Sequence, residues 1–275
     1  MKYTELVSKL ADIGAAEPDA EAFLLISHFF GDNRATIMAF REREYDTNVL
    51  EAAIERRRGG EPVQYIIGKA DFYGLEFKVT PDCLIPRFDT EILCEEVIKR
   101  LPDNARFLEF CTGSGCIPIA VIKNRTDTSC VTVELFPKTA DIARENRELN
   151  QIPPEKLEIA VGDALNFDMS KFVGTYDAIV SNPPYIPSVV VDTLSREVKR
   201  EPRAALDGGD DGLIFYEKFV SSYSDALKPS GFFAFEIGFD QADAIRALGD
   251  SYGFDVEIIR DFGGNNRVAI LKRNR

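Results

Sequence analysis

The chain has 275 residues, of which 45% are hydrophobic and 29% charged, and its formal net charge is −13. This composition is ordinary for a soluble globular protein with one large or two modest domains. No apolar stretch approaches the roughly 20 residues of a membrane span, and no signal peptide pattern is present, so we expect no membrane partner. The acidic balance argues against duplex DNA, because a DNA-binding protein normally carries a basic face.

Residues 1–70 predict a small helical bundle, because apolar residues recur there at helical spacing. Leu6, Leu10 and Ile13 show this spacing in the first helix. The predicted helices lie near residues 6–13, 18–30, 35–40, 47–58 and 62–66. No Gly-rich loop or pair of acids occurs in this region, so we expect it to serve packing or contact with a partner.

The period changes at residue 71, where we place a domain boundary. Residues 72–79 alternate around a turn and predict a β-hairpin, which makes 71–88 a linker and 89–275 a second domain. Helices then alternate with short apolar strands, which predicts an α/β fold with a mostly parallel sheet covered on both faces. The last two strands flank a short Gly-Gly-Asn-Asn turn and predict an antiparallel edge hairpin. The predicted strands are 106–110, 130–135, 157–161, 176–181, 231–237, 255–261 and 267–272.

Cysteine and histidine usage argues against a metal site. The chain has five cysteines and one histidine, His28, and no two cysteines form a CxxC pair. The odd count disfavours a disulfide framework, and the ligand set disfavours zinc. We therefore expect no metal and a reducing, cytoplasmic setting. His28 lies in an apolar helical run and is expected to be a packed or surface residue of that helix.

The first strand of the second domain leads into Cys111, Thr112, Gly113, Ser114 and Gly115, directly before a helix. A Gly-rich turn between a strand and a helix brings backbone N–H groups close to a ligand. No Lys-Ser/Thr pair follows the glycines, which excludes a Walker A loop. A nucleotide, a dinucleotide or S-adenosylmethionine is compatible with this turn.

Carboxylates stand at the ends of the next two strands. Glu134 follows the loop by about 20 residues, where a carboxylate can accept hydrogen bonds from both hydroxyls of a ribose. Asp163, with Ala164 beside it, ends the third strand and can accept a hydrogen bond from an adenine amino group. Ligands of such sheets bind at the carboxyl ends of the strands, so these three strand ends predict an adenosine-sized groove.

The fourth strand leads into Asn182, Pro183, Pro184 and Tyr185. The prolines fix φ and donate no hydrogen bond, so their carbonyls and the Asn182 oxygen are acceptors in a rigid frame. An amide or base amino nitrogen is a poor nucleophile, because its lone pair is delocalised. Two acceptors, Asn182 and Pro183, can hold its N–H groups and enrich the nitrogen in electrons while Tyr185 packs on the planar group. The motif therefore predicts methylation of a planar nitrogen, accelerated mainly by positioning and electrostatics.

With these motifs the chain resembles Rossmann-like methyltransferases of the Asn-Pro-Pro-Tyr class, and most closely the release factor glutamine methyltransferase family. The resemblance covers nearly the whole chain. DNA adenine methyltransferases share Asn-Pro-Pro-Tyr, whereas the Glu-Pro-Arg-Ala-Ala-Leu-Asp-Gly-Gly stretch is much more specific. The matching stretches are 86–91, 112–115, 181–187, 201–213 and 264–267.

The resemblance implies a class I methyltransferase fold with a seven-stranded sheet, preceded by a helical bundle that recognises the protein substrate. It implies methyl transfer from S-adenosyl-L-methionine to the side-chain amide N5 of the glutamine in the Gly-Gly-Gln motif of peptide chain release factors. It further implies that S-adenosyl-L-homocysteine is the product and that the methylation modulates translation termination. Residues 112–115 and Glu134 would bind the cofactor, Asn182 would bridge cofactor and substrate, and residues 182–185 would hold the glutamine amide. We expect a cytoplasmic monomer without a direct nucleic acid partner.

Two departures from the family pattern concern the loop. The family usually has Asp-Leu-Gly before Thr-Gly-Ser-Gly, where this chain has Glu109, Phe110 and Cys111. Glu109 can still anchor the loop if its extra methylene is accommodated. Cys111 replaces a glycine, so the backbone approaches the cofactor less freely and affinity is expected to be weaker. Glu134 stands where Asp is common and keeps the same chemistry.

Three alternatives compete with this interpretation. A related enzyme that methylates a glutamine of a ribosomal large-subunit protein is not separated from it by these motifs. A DNA adenine N6-methyltransferase is disfavoured by the charge and by the lack of an evident target-recognition domain. A binding protein without turnover is disfavoured because Asn182 and Tyr185 are both intact.

Overall fold

The computed structural model describes residues 1–274 and divides into two compact units. The first unit contains Met1–Lys69 and Ser195–Arg200, and the second contains Ala70–Leu194 and Glu201–Arg275. Nothing in the sequence pattern indicates that residues 195–200 join the first unit. Over residues 1–274, every helix is too short or too polar to cross a bilayer.

The first unit is a helical bundle, as predicted. Its helices are α1 (Tyr3–Asp12), α2 (Pro18–Phe30), α3 (Arg34–Ala39), α4 (Thr47–Arg58) and α5 (Val63–Ile67). Their apolar faces share one core, in which Leu6, Leu25 and Ile54 are fully buried. The side chain of Asp46 caps α4 by accepting a hydrogen bond from the backbone N–H of Asn48 at 2.8 Å.

A buried ion-pair cluster ties residues 195–200 to this bundle. The Arg57 guanidinium donates to both carboxylate oxygens of Glu21 at 2.8 and 2.9 Å and to Glu197 Oε1 at 2.9 Å. Only 6% of the Arg57 side chain is exposed. Because a buried charge is strongly destabilising without its partners, these contacts hold Glu197 against α2 and α4.

A two-stranded hairpin of β1 (Lys69–Phe72) and β2 (Leu75–Lys78) follows the helices. Tyr73 and Gly74 form its turn with φ of 51° and 73°. Positive φ at both central residues is the geometry of a type I′ turn, which suits the twist of a two-residue hairpin. The backbone N–H of Tyr73 also donates to Glu91 Oε1 at 2.7 Å.

The second unit contains a seven-stranded sheet in the order β5-β4-β3-β6-β7-β9-β8 within the described residues. Its strands are β3 (Arg106–Phe110), β4 (Ser129–Glu134), β5 (Leu157–Val161), β6 (Tyr176–Ser181), β7 (Leu227–Glu236), β8 (Phe254–Arg260) and β9 (Asn266–Arg273). Neighbours from β5 to β7 are parallel, whereas β9 is antiparallel to both β7 and β8. The predicted fold class, a mostly parallel sheet with an antiparallel edge hairpin, is confirmed.

Helices cover both faces of this sheet. They are α6 (Thr90–Arg100), α7 (Cys116–Asn124), α8 (Pro137–Leu149), α9 (Ser188–Val191), α10 (Ile214–Tyr223) and α11 (Ala242–Ser251). Successive strand residues face opposite sides, so Phe107 packs in the cluster of α6 to α8 and Leu108 in that of α10 and α11. Helix α10 begins at Ile214, two residues after Gly212. Gly212 has φ of +78°, which a right-handed helix does not accept.

Candidate active site

A cavity of about 290 Å³ lies at the carboxyl ends of the parallel strands. The strand order reverses beside β3, which has β4 on one side and β6 on the other, and ligands of doubly wound sheets bind at such a point. The volume is near the lower end of the range for small-molecule sites. The predicted site residues that line it are Cys111, Thr112, Gly113, Ser114, Glu134, Asp163, Ala164, Asn182 and Pro184. The other predicted site residues, Glu109, Gly115, Pro183 and Tyr185, are outside the lining.

Glu134 is fixed at the cavity wall by two backbone groups. Its Oε2 accepts from the N–H of Gly113 at 3.0 Å, and its Oε1 accepts from the N–H of Phe136 at 3.1 Å. Burial raises the pKa of this carboxyl, while the backbone hydrogen bonds act in the opposite direction. Asp163, which also lines the cavity, accepts from the N–H of Leu165 at 2.9 Å and from Asn166 Nδ2 at 2.7 Å. Both carboxylates are thus held in place and keep further acceptor capacity toward the cavity.

The two loop glycines have different surroundings. Gly113 has φ of +55°, and a side chain placed on it would meet nothing within 4 Å. Gly115 has φ of +81°, and an added Cβ would lie 3.3 Å from the Cβ of Ala143 on α8. Gly113 therefore leaves room beside the cavity, whereas Gly115 permits close packing between the loop and α8.

Glu109 anchors the loop without lining the cavity. It is completely buried, and its Oε2 accepts hydrogen bonds from the hydroxyls of Thr112 and, at 2.7 Å, Thr132. Its Oε1 has no hydrogen-bond partner among residues 1–274. Burial raises the pKa of Glu109 from 4.5 to about 8, despite the two hydroxyl donors. Proton uptake by Glu109 is therefore favoured in the folded protein.

We expect Glu109→Gln to remove part of the pH dependence of stability. A carboxyl whose pKa is raised by folding stabilises the folded state fully below its unfolded pKa, and this contribution is lost as pH rises toward 8. The effect is on the order of a few kcal/mol. The melting temperature of the wild type should fall relative to that of the variant between pH 5 and about 8. Melting temperatures are measured by circular dichroism. If those of the wild type and the variant change with pH in the same way over this range, the pKa of Glu109 is not raised by folding.

Cys111 occupies a backbone conformation that favours glycine. Its φ is +62°. Its N–H donates to the carbonyl of Val133 at 3.0 Å, so the loop accommodates a side chain at this position and keeps its hydrogen bond to β4. The left-handed conformation costs a non-glycine residue about 1–2 kcal/mol. Burial raises the pKa of the Cys111 thiol far above its usual value. The thiol is therefore a poor nucleophile at neutral pH.

Asn182 begins the loop after β6 and lines the cavity. The preceding Ser181 is fully buried, and its hydroxyl donates to the carbonyl of Phe110 at 2.8 Å, which fixes the loop to β3. The side-chain Nδ2 of Asn182 donates to the Thr90 hydroxyl at 3.1 Å. This contact engages the nitrogen end of the amide and leaves Oδ1 as its acceptor.

The 201–213 stretch supports the backbone of this loop. The N–H of Ile186 donates to the carbonyl of Leu206 at 3.0 Å, and the N–H of Gly208 returns to the carbonyl of Ile186 at 2.9 Å. A Cβ on Gly208 would lie 2.7 Å from the carbonyl oxygen of Pro184, and one on Gly212 would lie 2.2 Å from that of Tyr185. Only glycine fits these two contacts. The stretch singled out as specific to the family is therefore in direct contact with the Asn-Pro-Pro-Tyr backbone.

Glu201 fastens the 85–87 segment beside the cavity. It is 5% exposed, and its carboxylate accepts from the N–H of Ile85 at 3.2 Å and from the Arg87 guanidinium. Arg87 lines the cavity, and the next residue, Phe88, is 78% exposed. Two of the matching stretches, 86–91 and 201–213, thus meet through this ion pair.

Sequence reasoning missed several polar side chains that hold the site together. Thr90 contacts Asn182, and Glu236 accepts hydrogen bonds from Thr90 at 2.6 Å and from Tyr185 at 3.3 Å. Gln241 Nε2 donates to the carbonyl of Tyr185 at 3.1 Å. Glu236 is the last residue of β7. The strand-end rule that identified Glu134 and Asp163 would have found it.

Family models match both parts of the chain. Residues 3–68 match the PrmC N-terminal domain, and residues 88–228 match the methyltransferase small domain. A solved methyltransferase from Pyrococcus furiosus superimposes with a TM-score of 0.55 at 20% identity, covering 82% of this chain and 98% of that one. At this identity the likeness shows the fold alone, which is the predicted class I methyltransferase fold.

Sequence relatives are similar over nearly the full length. The release factor glutamine methyltransferase of Caulobacter vibrioides is 35% identical over 282 residues, which cover 99% of this chain and 95% of the relative. That of Geobacter sulfurreducens is 36% identical over 265 residues, covering 94% and 91%.

Proposed function

Because the chain belongs to the release factor glutamine methyltransferase family and is therefore a methyltransferase, we propose that it methylates the glutamine of the Gly-Gly-Gln motif in peptide chain release factors. Transfer goes to the side-chain amide N5 and modulates translation termination. Asn182 carries this proposal most directly, because its Nδ2 is engaged by Thr90 while its oxygen remains an acceptor at the cavity wall. An amide N–H is the group such an acceptor can hold.

We assign the cavity to S-adenosyl-L-methionine. Its donor and acceptor set suits an adenosine: Glu134 for the ribose hydroxyls, Asp163 with Ala164 for the adenine, and the 112–115 backbone beside them. The cofactor supplies an electrophilic methyl group on a sulfonium and leaves as S-adenosyl-L-homocysteine. Glu109 and Gly115, which do not line the cavity, support this set by anchoring and packing the loop.

The chain's own residues hold and activate the amide. Asn182 Oδ1 and the Pro183 carbonyl accept its two N–H bonds, which favours the tetrahedral nitrogen of the transition state. Pro184 lines the cavity, and Tyr185 packs beside the planar group with its hydroxyl on Glu236. The bound cofactor would supply the methyl group to the nitrogen held in this way, and the alkylated nitrogen, being acidic, would lose its proton to water. No general base is needed for that step.

We also propose that the helical unit, residues 1–69 with 195–200, contributes to recognition of the protein substrate. No residue of this unit lines the cavity, so its contribution would be to binding a large substrate rather than to the cofactor. Its match to the PrmC N-terminal domain supports a role shared with these relatives. A cytoplasmic monomer acting on a soluble factor is consistent with this assignment.

Transfer of a labelled methyl group tests the proposal. Purified protein with labelled S-adenosylmethionine should label an intact release factor, and a Gln→Ala change in its Gly-Gly-Gln loop should abolish the label. A short Gly-Gly-Gln peptide should show a higher KM than the intact factor, if the helical unit contributes to binding. Label on a ribosomal large-subunit protein or on DNA, with none on the release factor, would reject the substrate. Equal KM values for peptide and factor would reject the role of the helical unit.

A further inference from the structure

The carboxylate of Glu236 is linked to both side chains that flank the prolines of the loop, to Tyr185 directly and to Asn182 through the Thr90 hydroxyl. Its Oε2 accepts from the Thr90 hydroxyl at 2.6 Å, and that hydroxyl in turn accepts from Asn182 Nδ2 at 3.1 Å. Its Oε1 accepts from the hydroxyl of Tyr185 at 3.3 Å. Glu236 is 2% exposed and does not line the cavity. It is a buried carboxyl group to which the proposed chemistry assigns no task.

The direction of these hydrogen bonds follows from the chemistry of the groups. An ionised carboxylate only accepts, so the single Thr90 proton must point to Glu236. The Thr90 oxygen is then left with lone pairs alone, and it can meet only the NH₂ end of the Asn182 amide. If Thr90 were free to donate, the amide could turn by 180° and place its oxygen on Thr90. The Asn182 amide would then present N–H groups where an acceptor is required.

Several charged groups face this carboxylate and bear on its ionisation. Burial raises the pKa of Glu236, and Asp89 acts in the same direction. The hydrogen bonds from Thr90 and Tyr185 and the cation of Arg267 favour the ionised form. Arg267 is itself held by Asp89 at 3.3 Å and by Asp261 at 3.2 Å. The carboxylate is thus provided with two hydroxyl donors and a nearby cation, which is the environment an ionised acid needs when buried.

Building on the proposed methyl transfer to a glutamine amide, we propose that Thr90 and Glu236 are positioning residues that set the orientation of the Asn182 amide. Glu236 orients the Thr90 hydroxyl, Thr90 orients the amide nitrogen, and the Asn182 oxygen is thereby directed to the substrate. The same carboxylate holds Tyr185. One buried acid therefore aligns the two polar side chains of the motif, Asn182 and Tyr185.

Two matched variants of Thr90 separate the hydroxyl from the shape of the side chain. Thr90→Val keeps the shape but removes the hydrogen bonds, and we expect kcat for methylation of a release factor to fall about 10- to 100-fold. Thr90→Ser keeps the hydroxyl and should retain most of the activity. The KM for the factor and the dissociation constant of S-adenosylhomocysteine should change little in either variant, because neither removes a proposed binding group.

Glu236→Gln tests the acid itself, and Tyr216→Phe provides its control. The side-chain amide that the first variant introduces can donate to Thr90, so the amide of Asn182 loses its fixed orientation and kcat should fall as in Thr90→Val. Tyr216 donates to the backbone carbonyl of Glu236 at 2.8 Å and not to its carboxylate. Tyr216→Phe should therefore lower the melting temperature while kcat stays at the wild-type value.

The outcomes distinguish a failure of the positioning role of Thr90 and Glu236 from a failure of the proposed methylation of release factors. Wild-type kcat in Thr90→Val, equal losses in Thr90→Val and Thr90→Ser, or an equal loss in Tyr216→Phe would overturn the positioning role. If Glu236→Gln does not fold, the pair of Thr90 variants still decides the question. Labelling of a release factor by the wild-type protein is measured first. If the wild type transfers no label, the proposed function is overturned instead.

Discussion

Asn182→Ala is expected to lower kcat for glutamine methylation by about 100- to 1,000-fold, the usual loss when one preorganised polar contact to a transition state is removed. Alanine removes the oxygen that accepts the amide N–H. It also leaves the Thr90 hydroxyl without the Asn182 donor. Because the transition state needs this acceptor more than the ground state does, the loss should appear in kcat rather than in binding.

Single-turnover transfer of labelled methyl to a release factor measures this effect, with calorimetric titration of S-adenosylhomocysteine alongside. Its dissociation constant should change far less than kcat does. Asn124→Ala is a suitable control, because Asn124 Nδ2 donates to the carbonyl of Ala120 on α7 and lies outside the cavity lining. A wild-type rate for Asn182→Ala, or an equal loss in Asn124→Ala, would show that the Asn182 oxygen has no role in transfer.

The parts of the site that the sequence predicts are those that follow a strand. Strand residues alternate, strand ends meet at one edge of a parallel sheet, and Glu134, Asp163 and Asn182 could therefore be placed together from their positions alone. The structure brings these three residues to one cavity. Their roles in binding and transfer stay predictions that the proposed measurements test.

The supporting contacts could not be derived in this way, because they join residues far apart in the chain. Thr90 meets Asn182 over 92 positions and Glu236 over 146 positions. Neither periodicity nor turn chemistry carries information about such pairs, since both describe near neighbours. The strand order and the contact of Arg57 with Glu197, which are 140 positions apart, could not be predicted for the same reason.

The second large effect concerns the glycines of the 201–213 stretch, whose role follows from contacts that only the fold reveals. We expect Gly208→Ala to lower kcat about 100-fold, the scale of loss from a misplacement of about 1 Å at a reacting group. The new Cβ would lie 2.7 Å from the Pro184 oxygen and 2.8 Å from the Tyr185 Cα. Both are backbone atoms, so the loop itself must move. Gly212→Ala should be at least as damaging, with 2.2 Å to the Tyr185 oxygen.

Gly253→Ala separates this displacement from simple backbone strain. Gly253 has φ of +74°, close to the +78° of Gly212, but a Cβ there would meet nothing within 4 Å. It should lose about 1 kcal/mol of stability and keep the wild-type kcat. Melting temperatures and initial rates of methylation for the three variants give the comparison. The prediction is wrong if Gly208→Ala and Gly212→Ala lose about as much stability as Gly253→Ala and keep full activity. In that case the 201–213 stretch does not position the Asn-Pro-Pro-Tyr loop.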